Sequence, residues 1–149
     1  KIIVRGLNSK LYLERTIMLS DGTIEVSNKD GIFSINGPNS SMTSDNINIT
    51  GENIDGQFST INENREVIKL NVKDEKISNI KTNDVDMYAN KAIYDKKNSI
   101  IELFENVKVI RGNEIITGDY GTLDTDTNSY KVKSNNSNKV KVIITENNE

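Results

Sequence analysis

The residues in this chain whose spacing could do chemistry are carboxylates. Asp124, Asp126 and Asn128 alternate through Asp124-Thr125-Asp126-Thr127-Asn128, the opening of a calcium loop in which alternate oxygen ligands converge on a hard cation. The rest of that loop does not follow: the sixth position is Ser129 rather than glycine, and the twelfth is Asn135 rather than glutamate. A hairpin turn whose Asx side chains bond the local backbone is the stronger reading. Asp84 and Asp86 stand two apart and on a strand would share a face as a carboxylate pair, although a solvated face accounts for them better. The chain contains no histidine and no cysteine. That excludes His-based triads, ordinary histidine acid–base catalysis, His- or thiolate-ligated metals and disulfides. No glycine-rich phosphate loop or nucleophile elbow appears. The sequons at Asn39-Ser40-Ser41 and Asn48-Ile49-Thr50 are short matches that matter only in a eukaryotic secretory pathway. The expectation is a binding protein and not an enzyme, with no metal and no cofactor.

The elements that must position any site read as strands. Gly, Asn, Asp and Ser punctuate the chain every few residues, and β-branched runs with period two lie between them. Ile47 and Ile49 alternate with asparagines, and Ile68, Leu70 and Val72 with Lys69, Asn71 and Lys73. Ile101 and Leu103 flank Glu102, Val107 and Val109 flank Lys108, Tyr130 and Val132 flank Lys131, and Val140, Val142 and Ile144 follow the same rule. Strands with this pattern put aliphatics on one face and Lys, Asn or Glu on the other. Turns are expected at Ser20-Asp21-Gly22, Lys29-Asp30-Gly31, Asn36-Gly37-Pro38 and Arg111-Gly112-Asn113, with longer loops at Asp95–Asn98 and Asp124–Asn128. Internal repeats also appear. Shifting by 33 residues lays Ile61, Asn62, Val67, Ile68 and Leu70 on Tyr94, Asp95, Ile100, Ile101 and Leu103. A further shift of 29 lays Tyr94, Asp95, Ile101 and Leu103 on Leu123, Asp124, Tyr130 and Val132. Strand–turn–strand units of this kind must associate to cover their apolar faces. The first forty residues fit the repeat least and are expected to form an edge or cap.

Composition narrows the function further. The 149 residues fit one domain, and no linker divides residues 1–149. Hydrophobic residues make up 34% and aromatics 5%, so the interior must be thin and aliphatic. A net charge of -3 without a basic block argues against nucleic acid. No apolar run approaches the ~20 residues of a spanning helix. The opening at Lys1, without a methionine or signal-like segment, reads as a mature or trimmed chain, which leaves room for an upstream signal peptide or anchor. Smooth aliphatic walls suit either a closed sandwich core or acyl chains, and residue physics alone leaves both open.

From Met87 the chain resembles the periplasmic lipopolysaccharide-transport bridge family (LptA or OstA-like). The matching run is Met87-Tyr88-Ala89-Asn90-Lys91-Ala92-Ile93-Tyr94-Asp95, then Ile100 to Gly112, then Glu114-Ile115-Ile116-Thr117-Gly118-Asp119, and finally Lys139-Val140-Lys141-Val142. It is similar in order to the family's A-x-x-A-x-Y-D strand, its L-x-G-N-V-x-V-x-x-G strand pair, its I-x-G-D strand and its last valine strand, with Glu105 where the pattern has glycine. Met42 to Gly51 matches more loosely. The resemblance implies an all-β, open twisted β-jelly roll of repeated strand–turn–strand units with an apolar interior groove, one OstA-like domain over residues 1–149. It implies a periplasmic protein holding lipid A acyl chains of lipopolysaccharide, with Ile47, Ile49, Ile68, Leu70, Tyr94, Ile101, Leu103, Val107, Val109, Leu123, Tyr130 and Val132 facing the groove. The implied partners are lipopolysaccharide, further copies joined head to tail by edge strands, and inner- and outer-membrane Lpt components of the same fold. An anchored LptC-like component is the near alternative. The reading from another class is a structural β-solenoid, fibre or adhesin-type module without lipid. A carbohydrate-active solenoid would need clustered carboxylates with aromatic sugar platforms, and this chain is short of aromatics.

Overall fold

A computed structural model describes residues 1–59, 65–135 and 140–144. Its fourteen strands join in one sheet, and every pairing is antiparallel. No helix occurs among the described residues. The sheet is folded on itself into two layers. One layer runs β1 (Ile2–Arg5), β4 (Thr23–Ser27), β5 (Ile32–Asn36) and β8 (Asn53–Ser59) up to the first half of β9 (Glu66–Lys81). The other runs β2 (Ser9–Leu13), β3 (Thr16–Ser20), β6 (Ser41–Ser44) and β7 (Ile47–Thr50) up to the second half of the same strand. Strand β9 thus belongs to both layers, and so do β10 (Asp86–Asp95), β11 (Ile100–Arg111) and β12 (Glu114–Asp124). At the far end β12 pairs with β13 (Tyr130–Lys133) through one half and with β14 (Lys141–Ile144) through the other. This is the open β-jelly roll that the sequence suggested.

The long strands turn the corner at interruptions in register. Residues 74–77 of β9 stand opposite the single residue Asn90, and β11 shifts between Phe104 and Val107. The Asn90 amide donates to the carbonyls of Asp74, Glu75 and Lys76 at 3.0–3.1 Å, and the Asn106 amide donates to Asn90 Oδ1 at 2.6 Å. Polar groups thereby replace the ladder bonds that a corner removes. Toward the N-terminus the chain crosses the same seam through Gly6, Gly22, Gly37 and Gly51, with the buried hydroxyls of Ser20 and Ser40 hydrogen-bonded 2.9 Å apart. At Gly22 the reason for glycine is direct, since a Cβ there would lie 2.1 Å from the carbonyl oxygen of Asn36.

The alternation predicted from sequence sets which side chains point inward. Met18, Met42, Ile49, Ile80, Met87 and Val109 of one layer and Ile24, Ile35, Ile54, Val72, Leu103 and Leu123 of the other form one buried cluster. Three expectations need correction. The first forty residues are no mere cap, because β3, β4 and β5 supply Met18, Ile24, Val26, Phe33 and Ile35 to the core, although β1 and β2 are edges. The expected strand pair within Ile100–Gly112 is the single bulged strand β11. On β14 the aliphatics are uncovered, with Val142 54% and Ile144 67% exposed, and Val140 precedes the strand. The expected turns all fall between strands. Ile61 and Asn62 of the repeat and Lys139 of the last matching run lie outside the described residues.

Candidate functional site

Opposite the seam, hairpin turns line the two lips of the folded sheet. The turns at 28–31, 96–99 and 124–129 edge one layer, and those at 14–15, 45–46, 82–85 and 112–113 edge the other. Between the lips lies a cavity of ≈ 360 Å³. Its walls are aliphatic: Met42, Ile47 and Ile49 from one layer, Val67, Leu70, Ile101 and Leu123 from the other, with Tyr94 beside them. Its rim is polar, with Ser44, Asp45, Asn46, Glu66, Thr82, Asn83, Asp84, Thr125 and Asn128. Arg15 lies 3.8 Å from Asp45, and Lys96 pairs with Glu66, so two of the three rim carboxylates have cationic partners. The Tyr94 phenol is held above its ordinary range, first by burial and then by the carboxylates of Asp126 and Asp95. A neutral hydroxyl thus stands among apolar walls, able to hydrogen-bond an uncharged polar group.

Side chains bridge the lips at both ends of the mouth. Asn128 donates to Asp84 Oδ2 at 3.2 Å, and the Arg111 guanidinium donates to the Asn128 carbonyl at 2.8 Å. The Tyr130 phenol donates to Glu114, and the Arg111 guanidinium lies 4.7 Å from the centroid of its ring. At the other end the Arg65 N–H donates to Glu14 at 3.3 Å.

Six of the twelve residues expected in the groove, Ile47, Ile49, Leu70, Tyr94, Ile101 and Leu123, line this cavity. Leu103, Val107 and Val109 face the same interior but are packed within it, at 1%, 1% and 2% exposed. Val132 and Tyr130 are partly buried against the core on the edge strand β13. Ile68 is a correction. The bulge opposite Gln57 and Phe58 pairs Val67 with Phe58, so Val67 takes the inward position that strict alternation gives to Ile68. Met42 was missed as a wall residue, although its alternation with Ser41 and Thr43 marks it as inward. The rim was missed because turn residues carry no periodic signal.

The carboxylates singled out by their spacing do not form the arrangements that the spacing allows. Asp124 Oδ1 accepts the N–H groups of Asp126 and Thr127 at 2.9 and 3.1 Å, which makes the segment a hairpin turn. Asp84 lies in the turn before β10 rather than on a strand, so it does not share a strand face with Asp86, which accepts from Asn79 and Tyr88.

The crystal structure of LptH, the LptA homologous periplasmic component of the conserved lipopolysaccharide transport device from Pseudomonas aeruginosa, superposes with a TM-score of 0.71. The match covers 88% of this chain and 95% of that one at 14% identity, a likeness of fold. No curated protein matches the chain by sequence. The model of the LptA/(LptD N-terminal domain) LPS transport protein family matches residues 23–129, from the start of β4 to the turn before β13. The chain therefore belongs to the LptA/LptD N-terminal-domain family of LPS transport proteins.

Proposed function

We propose that this chain shields the acyl chains of lipopolysaccharide between its two layers and hands the lipid across the periplasm as one piece of a transenvelope bridge. The observation that carries this reading is the aliphatic cavity opening between the lips of a jelly roll in a family of LPS transport proteins. Burying acyl chains contributes about 0.8 kcal/mol per CH₂. A carrier that must release its lipid does best to spread this gain along a continuous stripe, and the stripe here runs from Ile49 through Ile101 and Leu103 to Val107 and Val109. Residues 1–149 act as one domain in this reading, and the energy for directional movement comes from elsewhere.

The edges support association with copies or partners of the same fold. Strands β1 and β13 end one layer, and β2 and β14 end the other, each with one side unpaired among the described residues. The exposed aliphatics of β14, and Leu7 (82% exposed) and Tyr12 (65%) near the opposite edge, gain cover if one copy's terminal strand adds to the next copy's first strands.

The test places a photoreactive residue at Ile101, on the cavity wall, with Glu102 as control. Glu102 lies on the outer face, where it accepts the Tyr120 phenol at 2.6 Å. Crosslinking to lipopolysaccharide at Ile101 and not at Glu102 is the expected result. The near-complete burial of Leu103, Val107 and Val109 favours a second reading, a structural module with a closed core. A folded protein that crosslinks at neither position returns that second reading.

A further inference from the structure

If lipid lies between the layers, it enters past the lips or from an end of the fold, and by either route the closed form has little room for it. A cavity of ≈ 360 Å³ lies near the lower bound of pockets that hold one small ligand. Leu103, Val107 and Val109, deeper along the stripe, are buried, at 1–2% exposed. A lipid with several acyl chains reaches them only when the layers separate.

The two sides of the fold resist separation unequally. Along the seam, β9, β10, β11 and β12 run continuously from one layer into the other, so parting there would strain the chain itself. Across the mouth, among the described residues, side chains and a few backbone groups hold the lips together. Among the described residues, the C-terminal end carries three of these contacts. Asp84 and Asn128 line the cavity and also bond each other across it, Arg111 holds the Asn128 carbonyl, and Tyr130 donates to Glu114. Each of these contacts is exposed or only partly buried, so water replaces it on opening and its net contribution to closure is small. Small, replaceable contacts on the one side free to move are the properties of a latch.

We infer that Asp84, Asn128, Arg111, Tyr130 and Glu114 latch the C-terminal stretch of the mouth, and that this stretch is the gate through which lipid with several acyl chains enters. The closed form accommodates a single acyl chain in the existing cavity. The inference rests on the lipid-carrying reading above and adds to it the route of entry and the groups that control it.

The chain lacks cysteine, so an Asp84→Cys/Asn128→Cys pair can be closed with a short bifunctional thiol crosslinker on a clean background. Two probes are offered, lipopolysaccharide and a fluorescent single-chain fatty acid. The wild type should capture both, and the uncrosslinked pair, which lacks the Asn128–Asp84 bond, should capture lipopolysaccharide at least as fast as the wild type. The crosslinked pair should still take the fatty acid but capture lipopolysaccharide at least tenfold more slowly. Undiminished lipopolysaccharide capture by the crosslinked pair would overturn the gate and leave the groove standing. A wild type that takes neither probe would remove the lipid-carrying reading, and the gate with it. A second variant does not depend on crosslinking: Glu114→Ala removes the acceptor of the Tyr130 phenol. Loss of one net hydrogen bond from the closed form should speed lipopolysaccharide capture about three- to tenfold. An unchanged or slower rate in this variant also counts against the latch.

Discussion

Glu105 holds a left-handed backbone, φ 65°, beside Asn106 at φ 53°, in the bulge where β11 turns the corner. For an L-residue with a Cβ that conformation costs about 1–2 kcal/mol. Asn106 has local compensation, since asparagine tolerates this region and its amide is bonded to Asn90. Glu105 is exposed, and the family pattern places glycine there. The bend that glycine would make easily is kept, and the glutamate bears the strain. Glu105→Gly should therefore stabilise the protein by about 0.5–1 kcal/mol, the relief of strain less the extra unfolded-state entropy of glycine. Denaturant unfolding measures it, and a destabilised variant would mean that the Glu105 side chain makes a contribution the backbone angle does not reveal. Bulges also mark the limit of period-two reading. Strict alternation points Ile68 inward, and only the pairing of Phe58 with Val67 shows that one extra residue has passed the inward position to Val67.

Turns and short alternating runs within the strands were the elements most legible in the sequence, whereas β11 was expected as a pair of strands. Asp21, Gly31, Gly37 and Gly112 fall in turns because those positions need side-chain bonding or positive φ, and both requirements are local. Less legible was the partner of each strand. The halves of β9 have different neighbours on one side, β8 and β7, and nothing within the strand announces it. Strand β14 shows how alternation can be right and burial wrong. Val142 and Ile144 alternate as an inward face would, yet all four residues of the strand are exposed because nothing covers them among the described residues. Ile144→Lys should then change the stability of the free protein by less than about 0.5 kcal/mol. If β14 joins copies head to tail, the same change should shift a concentration-dependent oligomer to monomer in analytical ultracentrifugation. A large loss of stability with association intact would place β14 against its own protein and turn attention to the other edges.

For the whole molecule, the decisive division is between a seam made of continuous chain and a mouth closed by side chains far apart in sequence. Asp84 and Asn128 are 44 residues apart, and Tyr130 and Glu114 are 16 apart. No local pattern ties such pairs together, so the aliphatic stripe could be read from the sequence while the closure above it could not. Closure has a consequence in pH. Folding raises the phenols of Tyr94 and Tyr130 at the mouth, and of Tyr88 and Tyr120 on the outer face. Burial is the leading cause for Tyr88, Tyr94 and Tyr130, whereas for Tyr120 it is the hydrogen bond to Glu102. A phenol raised on folding stabilises the fold in its protonated form. That contribution is complete below the unfolded value of about 10 and disappears as pH climbs through the folded value. Tyrosinate absorbance should therefore show these four groups ionising above the free amino acid, with stability falling over the same alkaline range. Ionised Tyr130 loses its donation to Glu114 and sets two negative charges together, a repulsion that Arg111 only partly offsets. Tyr130→Phe has no proton to lose and should flatten the part of the alkaline loss that arises at the mouth. An alkaline loss identical in this variant would show that the outer-face tyrosines, and not the closure between the layers, set the pH limit of the fold.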